Sequence, residues 1–152
     1  MEIVELNERA TETIIKLANL WRESVAATHA FLSEREIDEI EPEVITGLKS
    51  VEKLVAARDE RGEFCAFMGI EKHRLEILFV KPAMTGKGIG RALVEFGIKE
   101  YQINKTTVNE QNPNAVKFYT RLGFKPYKRT LTDEQSRPYP LIYMCIPESD
   151  RT

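Results

Sequence analysis

Three glycines alternate in Gly86-Lys87-Gly88-Ile89-Gly90, between an apolar run from Arg74 to Val80 and a stretch with Ile89, Leu93 and Phe96 at helical spacing. Bare backbone at the start of a helix offers unpaired N–H groups and the positive end of the helix dipole. Both suit a phosphate or another bulky anion. The loop fails two stricter tests. A P-loop has four residues between its glycines and then Lys with Ser or Thr, whereas Lys87 is followed by Gly88. A dinucleotide fingerprint starting at Gly86 needs Gly or Ala where Arg91 stands. Read alone, the loop is equally a tight turn that starts a helix.

A second group of residues lies in Asn112-Pro113-Asn114-Ala115 and on to Phe124. Asn is a good helix cap and Pro suits a first turn, so a helix begins here. Ala115, Phe118 and Leu122 share one face and read as core. Tyr119 falls about 100° from Phe118 and is free to project toward a neighbouring cleft. Glu76 stands within the apolar run, where a carboxylate is costly to bury without a partner. Strand alternation puts Glu76, Leu78 and Val80 on one face and Leu75, Ile77 and Phe79 on the other. His29 and His73 titrate in the neutral range. With Cys65 and Cys145 isolated from them and from each other, no metal-ligand cluster forms.

The elements that position these residues follow from periodicity. Residues 2–6 alternate as a short strand; Ala10 to Ala30 has a helical stripe of Ile14, Leu17, Ala18 and Trp21. Ser33 with Glu36 forms a capping box, and Pro42 is expected to kink or divide the helix it starts. Residues 51–70 read as a hairpin turning at Arg58 to Gly62, and 74–80 as a central strand. A helix then follows the glycine loop, and 106–109 is a β-branched strand. The helix from Asn112 stops at Gly123, and strands at 124–130 and 141–146 close the chain. The expected order is β-α-α-β-β-β-α-β-α-β-β. This is a mixed α/β fold, with one parallel pair from the strand–helix–strand unit at 74–109 and helices on both sheet faces.

Composition frames the reading. The chain has 152 residues, 22 Lys plus Arg against 24 Asp plus Glu, a net charge of −2, and 42% hydrophobic residues. One domain over 1–152 is expected at this length. A disordered chain and a general nucleic-acid binder, which needs a basic excess, are both disfavoured. No run of about 18 apolar residues can span a membrane. Met1 to Asn7 lacks the basic start of a signal peptide, and the two cysteines read as buried free thiols, so a cytoplasmic protein is expected.

Two segments carry a resemblance. Leu78 to Leu93 resembles the pyrophosphate motif of the GNAT superfamily of acetyl-CoA-dependent N-acetyltransferases, and Asn112 to Phe124 resembles its Asn-x-x-Ala-x-x-Phe-Tyr-x-x-x-Gly-Phe motif. Trp21 to Ser33, Val108 to Asn112 and Arg137 to Leu141 resemble the YjaB-type branch. Thr85 departs from the family, which usually has Arg or Gln there. The resemblance implies a mixed, mostly antiparallel sheet in which one parallel pair splays, with acetyl-CoA in the split. It implies that backbone N–H groups of Gly86, Lys87, Gly88, Ile89, Gly90 and Arg91 surround the pyrophosphate, with Thr85 also at the cofactor. Main chain of Phe79 and Val80 would pair with the pantetheine arm, and the Val80 N–H would face the acetyl oxygen. Asn112 would hydrogen-bond the arm, with Asn109 and Asn114 as further candidates. Tyr119 would be the acid that protonates the leaving thiolate. Glu76 is the first choice for the base, with His73 or water as alternatives, and His29 and Tyr139 would line the acceptor pocket. The implied reaction is direct, metal-free transfer to a primary amine of a small molecule or peptide, by a monomer or homodimer. The alternative is an acyl-CoA-binding module that transfers nothing.

Overall fold

The computed structural model describes residues 1–151. The expected order of elements is the observed one: β1 (Glu2–Glu5), α1 (Thr11–Thr28), α2 (Glu34–Ser50), β2 (Lys53–Arg58), β3 (Phe64–Glu71), β4 (Arg74–Val80), α3 (Ile89–Tyr101), β5 (Lys105–Asn109), α4 (Pro113–Arg121), β6 (Lys125–Thr130) and β7 (Leu141–Cys145), with short 3-10 turns at Pro82–Met84 and Glu148–Asp150. Seven strands form one sheet in the order β1-β2-β3-β4-β5-β7-β6, antiparallel throughout except for β4 and β5.

Each sheet face has its own core. α1 and α2 bring Ile14, Leu17, Trp21 and Leu48 onto Leu54 and Phe67. α3 and α4 bring Leu93, Val94 and Tyr119 onto Met68, Leu75 and Val108. Ser33 and Glu36 make both bonds of the capping box at the start of α2. The expected break at Pro42 does not occur, and α2 runs unbroken across it. Pro42 and the neighbouring Asp38 are exposed. The Asp38 carbonyl, which loses its helical donor to the ring, therefore stays within reach of water.

The decisive irregularity is in β4. Ile77 pairs with Gly69 and Leu75 pairs with Ile70, so Glu76 has no partner on β3. This is a β-bulge, an extra residue that shifts the facing of everything beyond it. Strict alternation across 74–80 therefore fails. Leu75, Leu78 and Val80 face the α3–α4 core, while Ile77 and Phe79 face the α1–α2 core. On its other edge β4 pairs with β5 only at Arg74 with Lys105 and Leu75 with Thr106. Parallel pairing ends where the bulge begins, and the two strands separate beyond it.

Candidate active site

The separated strands enclose a cleft of about 120 Å³, lined from β4 by Glu76 to Phe79, from β5 by Thr106 to Asn109, from α4 by Asn112, Ala115 and Tyr119, and from the end of α1 by His29. It passes through the sheet, because Phe79 belongs to one core and Tyr119 to the other.

The β4 edge is open where a strand would otherwise pair. The Lys81 N–H donates to the Cys65 carbonyl of β3 at 2.8 Å. Backbone groups alternate in direction along a strand. Phe79 therefore directs its main chain at β3, and Leu78 and Val80 direct theirs at the cleft. This keeps Val80 as an available donor and corrects the expectation for Phe79. The main-chain group beside Val80 is that of Leu78, and Phe79 contributes its ring instead. The Leu78 contribution escaped the sequence because only the bulge and register reveal it.

Beyond β4, the 3-10 turn closes with the Thr85 hydroxyl donating to the Pro82 carbonyl at 2.9 Å. Gly86 and Gly88 then adopt φ of 77° and 78°, the left-handed region that favours glycine. The backbone N–H groups from Gly86 to Arg91 make no hydrogen bond among the described residues, and Ala92 is the first to bond back, to Gly88. Gly90 brings the first turn of α3 close to its neighbours, since a Cβ there would lie 3.4 Å from both Phe118 and Val80. Lys87 is exposed beside this row of donors, and Arg91 is paired with Glu95 at 2.5 Å. The donors, the dipole of a 13-residue helix and Lys87 together suit an anion such as a pyrophosphate.

Tyr119 is the most buried residue of α4, only 7% exposed, with Phe118 and Phe124 edge-on against its ring. Burial pushes its phenol well above the usual tyrosine range, an effect the neighbouring Thr106 hydroxyl partly offsets. Thr106, itself 2% exposed, donates to the Leu75 carbonyl at 3.1 Å. Glu76 lies in the same cleft, with Arg74 at 4.0 Å. Desolvation raises its carboxyl pKa, and Arg74 only partly opposes that rise. The cleft thus holds a phenol kept protonated and a carboxyl made more basic than usual.

Residues 18–141 match the acetyltransferase (GNAT) domain family. The chain belongs to the GNAT acetyltransferases. It is 39% identical over 132 residues to the peptidyl-lysine N-acetyltransferase YjaB of Salmonella typhimurium strain LT2, covering 87% of this chain and 90% of that one. Among solved structures, the solution structure of apo-form YjaB from Escherichia coli superposes with a TM-score of 0.84 at 36% identity, over 96% of this chain and 98% of that one. The crystal structure of a PaiA N-acetyltransferase from Thermoplasma acidophilum in complex with coenzyme A shares the fold, with a TM-score of 0.65 at 23% identity, over 94% and 98% of the two chains.

Within this GNAT site the remaining sequence-predicted residues separate. The side-chain oxygen of Asn112 caps α4 by accepting from the Ala115 N–H at 3.3 Å, and the residue still lines the cleft. Asn109 also lines it while accepting from the Gln111 N–H at 2.9 Å. Asn114 is exposed and outside the lining, as is His73, whose ring lies 3.4 Å from the Tyr101 carbonyl. His29 lines the cleft with Thr28 Oγ1 at 2.7 Å from its Nδ1, and desolvation lowers its pKa, which favours the neutral ring. Its ring lies 5.3 Å from Phe31 and 6.4 Å from Phe79. Tyr139 is one ring further out, 5.7 Å from Phe31. Arg137 holds this outer wall by gripping Glu43 of α2 through two bonds, of 2.6 and 3.1 Å. Sequence reasoning missed Phe31 and Arg137. Phe31 had its neighbour His29 as a signal, but nothing local pairs Arg137 with a residue 94 positions away. Cys65 is buried, but Cys145 is only partly so, contrary to expectation, because it stands on β7 opposite Lys105 and Lys125, on the part of the α1–α2 face that no helix covers.

Proposed function

We propose that this enzyme moves the acetyl group of acetyl-CoA directly onto the side-chain amine of a lysine in a peptide or protein, within a ternary complex. The observation that carries the reading is the split between β4 and β5, with a row of unpaired N–H groups at its end and Glu76 and Tyr119 inside it. The coenzyme A seen with the PaiA relative and the peptidyl-lysine activity named for the YjaB relatives support the cosubstrate and the acceptor. Acetyl-CoA supplies a thioester carbonyl open to attack by an amine. The N–H groups of Gly86 to Arg91 bind the pyrophosphate, Leu78 and Val80 hold the pantetheine amides, and Asn112 and Asn109 close the arm from the opposite wall. The Val80 N–H stabilises negative charge on the acetyl oxygen. Glu76 takes the proton that the attacking amine gives up, and Tyr119 gives its proton to the departing sulfur. His29 and Tyr139, with Phe31 between them, form the acceptor wall. One domain over 1–152 performs the whole reaction, and its free thiols and intracellular cosubstrate fit a cytoplasmic enzyme.

A mass-spectrometric screen of acetyl transfer to peptides and small amines tests this. Acetyl-CoA-dependent labelling of peptide lysines is expected. Coenzyme A binding without turnover of any amine would overturn it in favour of a sensing module.

A further inference from the structure

On the α1–α2 side of the sheet α1 packs on β3 and β4 and α2 packs on α1, and β5, β7 and β6 carry side chains with no helix above them. Register identifies those side chains. Arg74 lies opposite Lys105, Lys105 opposite Cys145 and Cys145 opposite Lys125; Thr107 lies opposite Tyr143 and Tyr143 opposite Lys128. Their alternates Thr106, Val108 and Met144 are buried on the other side.

The bare face is basic and aromatic. The Arg74 guanidinium lies 5.8 Å from the centre of the Tyr143 ring, and the Lys128 ammonium lies 4.9 Å from it. Lys105 lies 5.9 Å from the Tyr127 ring, and the two tyrosines are 6.3 Å apart. Among the described residues Lys105, Lys125 and Lys128 have no carboxylate within ion-pair distance, and Arg74 has only Glu76, at 4.0 Å. In a chain of net charge −2 this is a local excess of cations. The face is also continuous with the cleft. Arg74 donates to the Thr107 hydroxyl at 2.9 Å, Thr107 lines the cleft, and Arg74 is two residues along β4 from Glu76.

We infer that this face binds acidic side chains that flank the acceptor lysine of a peptide substrate. The inference rests on the peptide-lysine reading above. The rings that could stack on nucleic-acid bases are already covered by cations, and Glu71, opposite Arg74 on β3, and Glu76 border the patch, which favours short carboxylate-bearing segments over a polyanion. Strands about 4.8 Å apart put Lys128, three strands from β4, about 14 Å from it. An extended peptide advances about 3.3 Å per residue, so acidic residues two to four positions from the lysine reach the patch.

The test is a set of peptides that share one lysine and differ only in acidic, neutral or basic residues at those positions. Acid-flanked peptides are expected to exceed neutral ones in kcat/KM by roughly fivefold to thirtyfold at low salt, with the ratio shrinking as ionic strength rises. In the double variant Lys105→Gln, Lys128→Gln the ratio falls toward one. Equal rates for all flanks, or preference for basic ones, overturns the inference. So does self-association of the wild type that the double variant abolishes, or displacement of a labelled acid-flanked peptide more readily by an oligonucleotide than by unlabelled peptide. Should small amines be acetylated and no peptide, the peptide-lysine reading fails. Fluorescence anisotropy of the labelled peptide then judges the face independently, with tighter binding of acid-flanked than neutral peptide sustaining it and equal binding sinking it.

Discussion

Replacing Tyr119 with Phe separates its chemistry from its packing. The side chain is 7% exposed, and its ring lies 5.0 Å from that of Phe118 and 5.5 Å from that of Phe124, centre to centre. Phe keeps those contacts and leaves no cavity of consequence. Thr106 keeps its bond to the Leu75 carbonyl, so the substitution loses one hydrogen-bonding neighbour, worth about 1 kcal/mol. In a domain of this size that lowers Tm by about 2–4 °C. The kinetic loss is of another order. Burial holds the phenol above its ordinary pKa, so at every pH where a lysine amine begins to lose its proton the acid is still loaded. A positioned general acid contributes about 10²–10⁴-fold, or roughly 3–5 kcal/mol of barrier. Tyr119→Phe should therefore lower kcat at least a hundredfold, with the affinity for coenzyme A, measured calorimetrically, close to wild type. A thiol-trapping assay reports turnover. An acetyl donor with a more acidic thiol should narrow the deficit, because that sulfur leaves without a proton. A variant within about threefold of wild-type kcat would show that the leaving thiolate finds its proton elsewhere, and the role assigned to Tyr119 would be wrong.

Three further outcomes follow from other parts of the molecule. As the proposed base Glu76 must be ionised, and its pKa is raised, chiefly by desolvation; kcat/KM should therefore fall as pH drops through a value above that of a free glutamate. Glu76→Gln should remove that limb and lower the neutral-pH rate by about 10²-fold, and an unchanged pH profile would leave the role to water, since His73 lies outside the cleft. Arg137→Ala releases the outer acceptor wall from Glu43; since the pair is partly exposed, at 27% and 44%, it is worth at most about 1 kcal/mol. The expected result is a twofold to fivefold rise in acceptor KM with kcat preserved, read by steady-state kinetics. Gly97→Ala would push a methyl group into the Ile103 side chain and within 3.2 Å of Met68. Overpacking of about 1–3 kcal/mol outweighs the gain in helix propensity, and calorimetry should show a lower Tm.

The sequence carried the elements and most of the residues that line the candidate cleft because both rest on local signals. The capping box at Ser33, the glycines at 86 to 90 and the Asn112 cap each act within a few residues, and each does so in the structure. What periodicity could not supply is the bulge at Glu76. Alternation along 74–80 assigns every side chain a face, but one unpaired residue reverses the assignment for all that follow, and only pairing with β3 exposes it. The same limit applies to Tyr119, which packs deeper than Phe118 or Leu122 although spacing alone makes those two the core positions. The orientation of α4 against β5 decides which side chain goes in. Pro42 misled for the opposite reason, since its local penalty is real but small where the carbonyl it orphans remains solvated.

The early end of pairing between β4 and β5 means that a sheet of seven strands contains edges in its middle as well as at its ends. Unpaired strand edges invite other chains to pair with them, and here they are shielded by their depth within a narrow cleft rather than by charge or proline. A pantetheine arm bound as proposed would satisfy those groups and complete the sheet, so adding cosubstrate should raise stability across both cores at once. Substitutions that let β4 and β5 zip further are expected to raise stability and abolish turnover together, stability gained here being function lost.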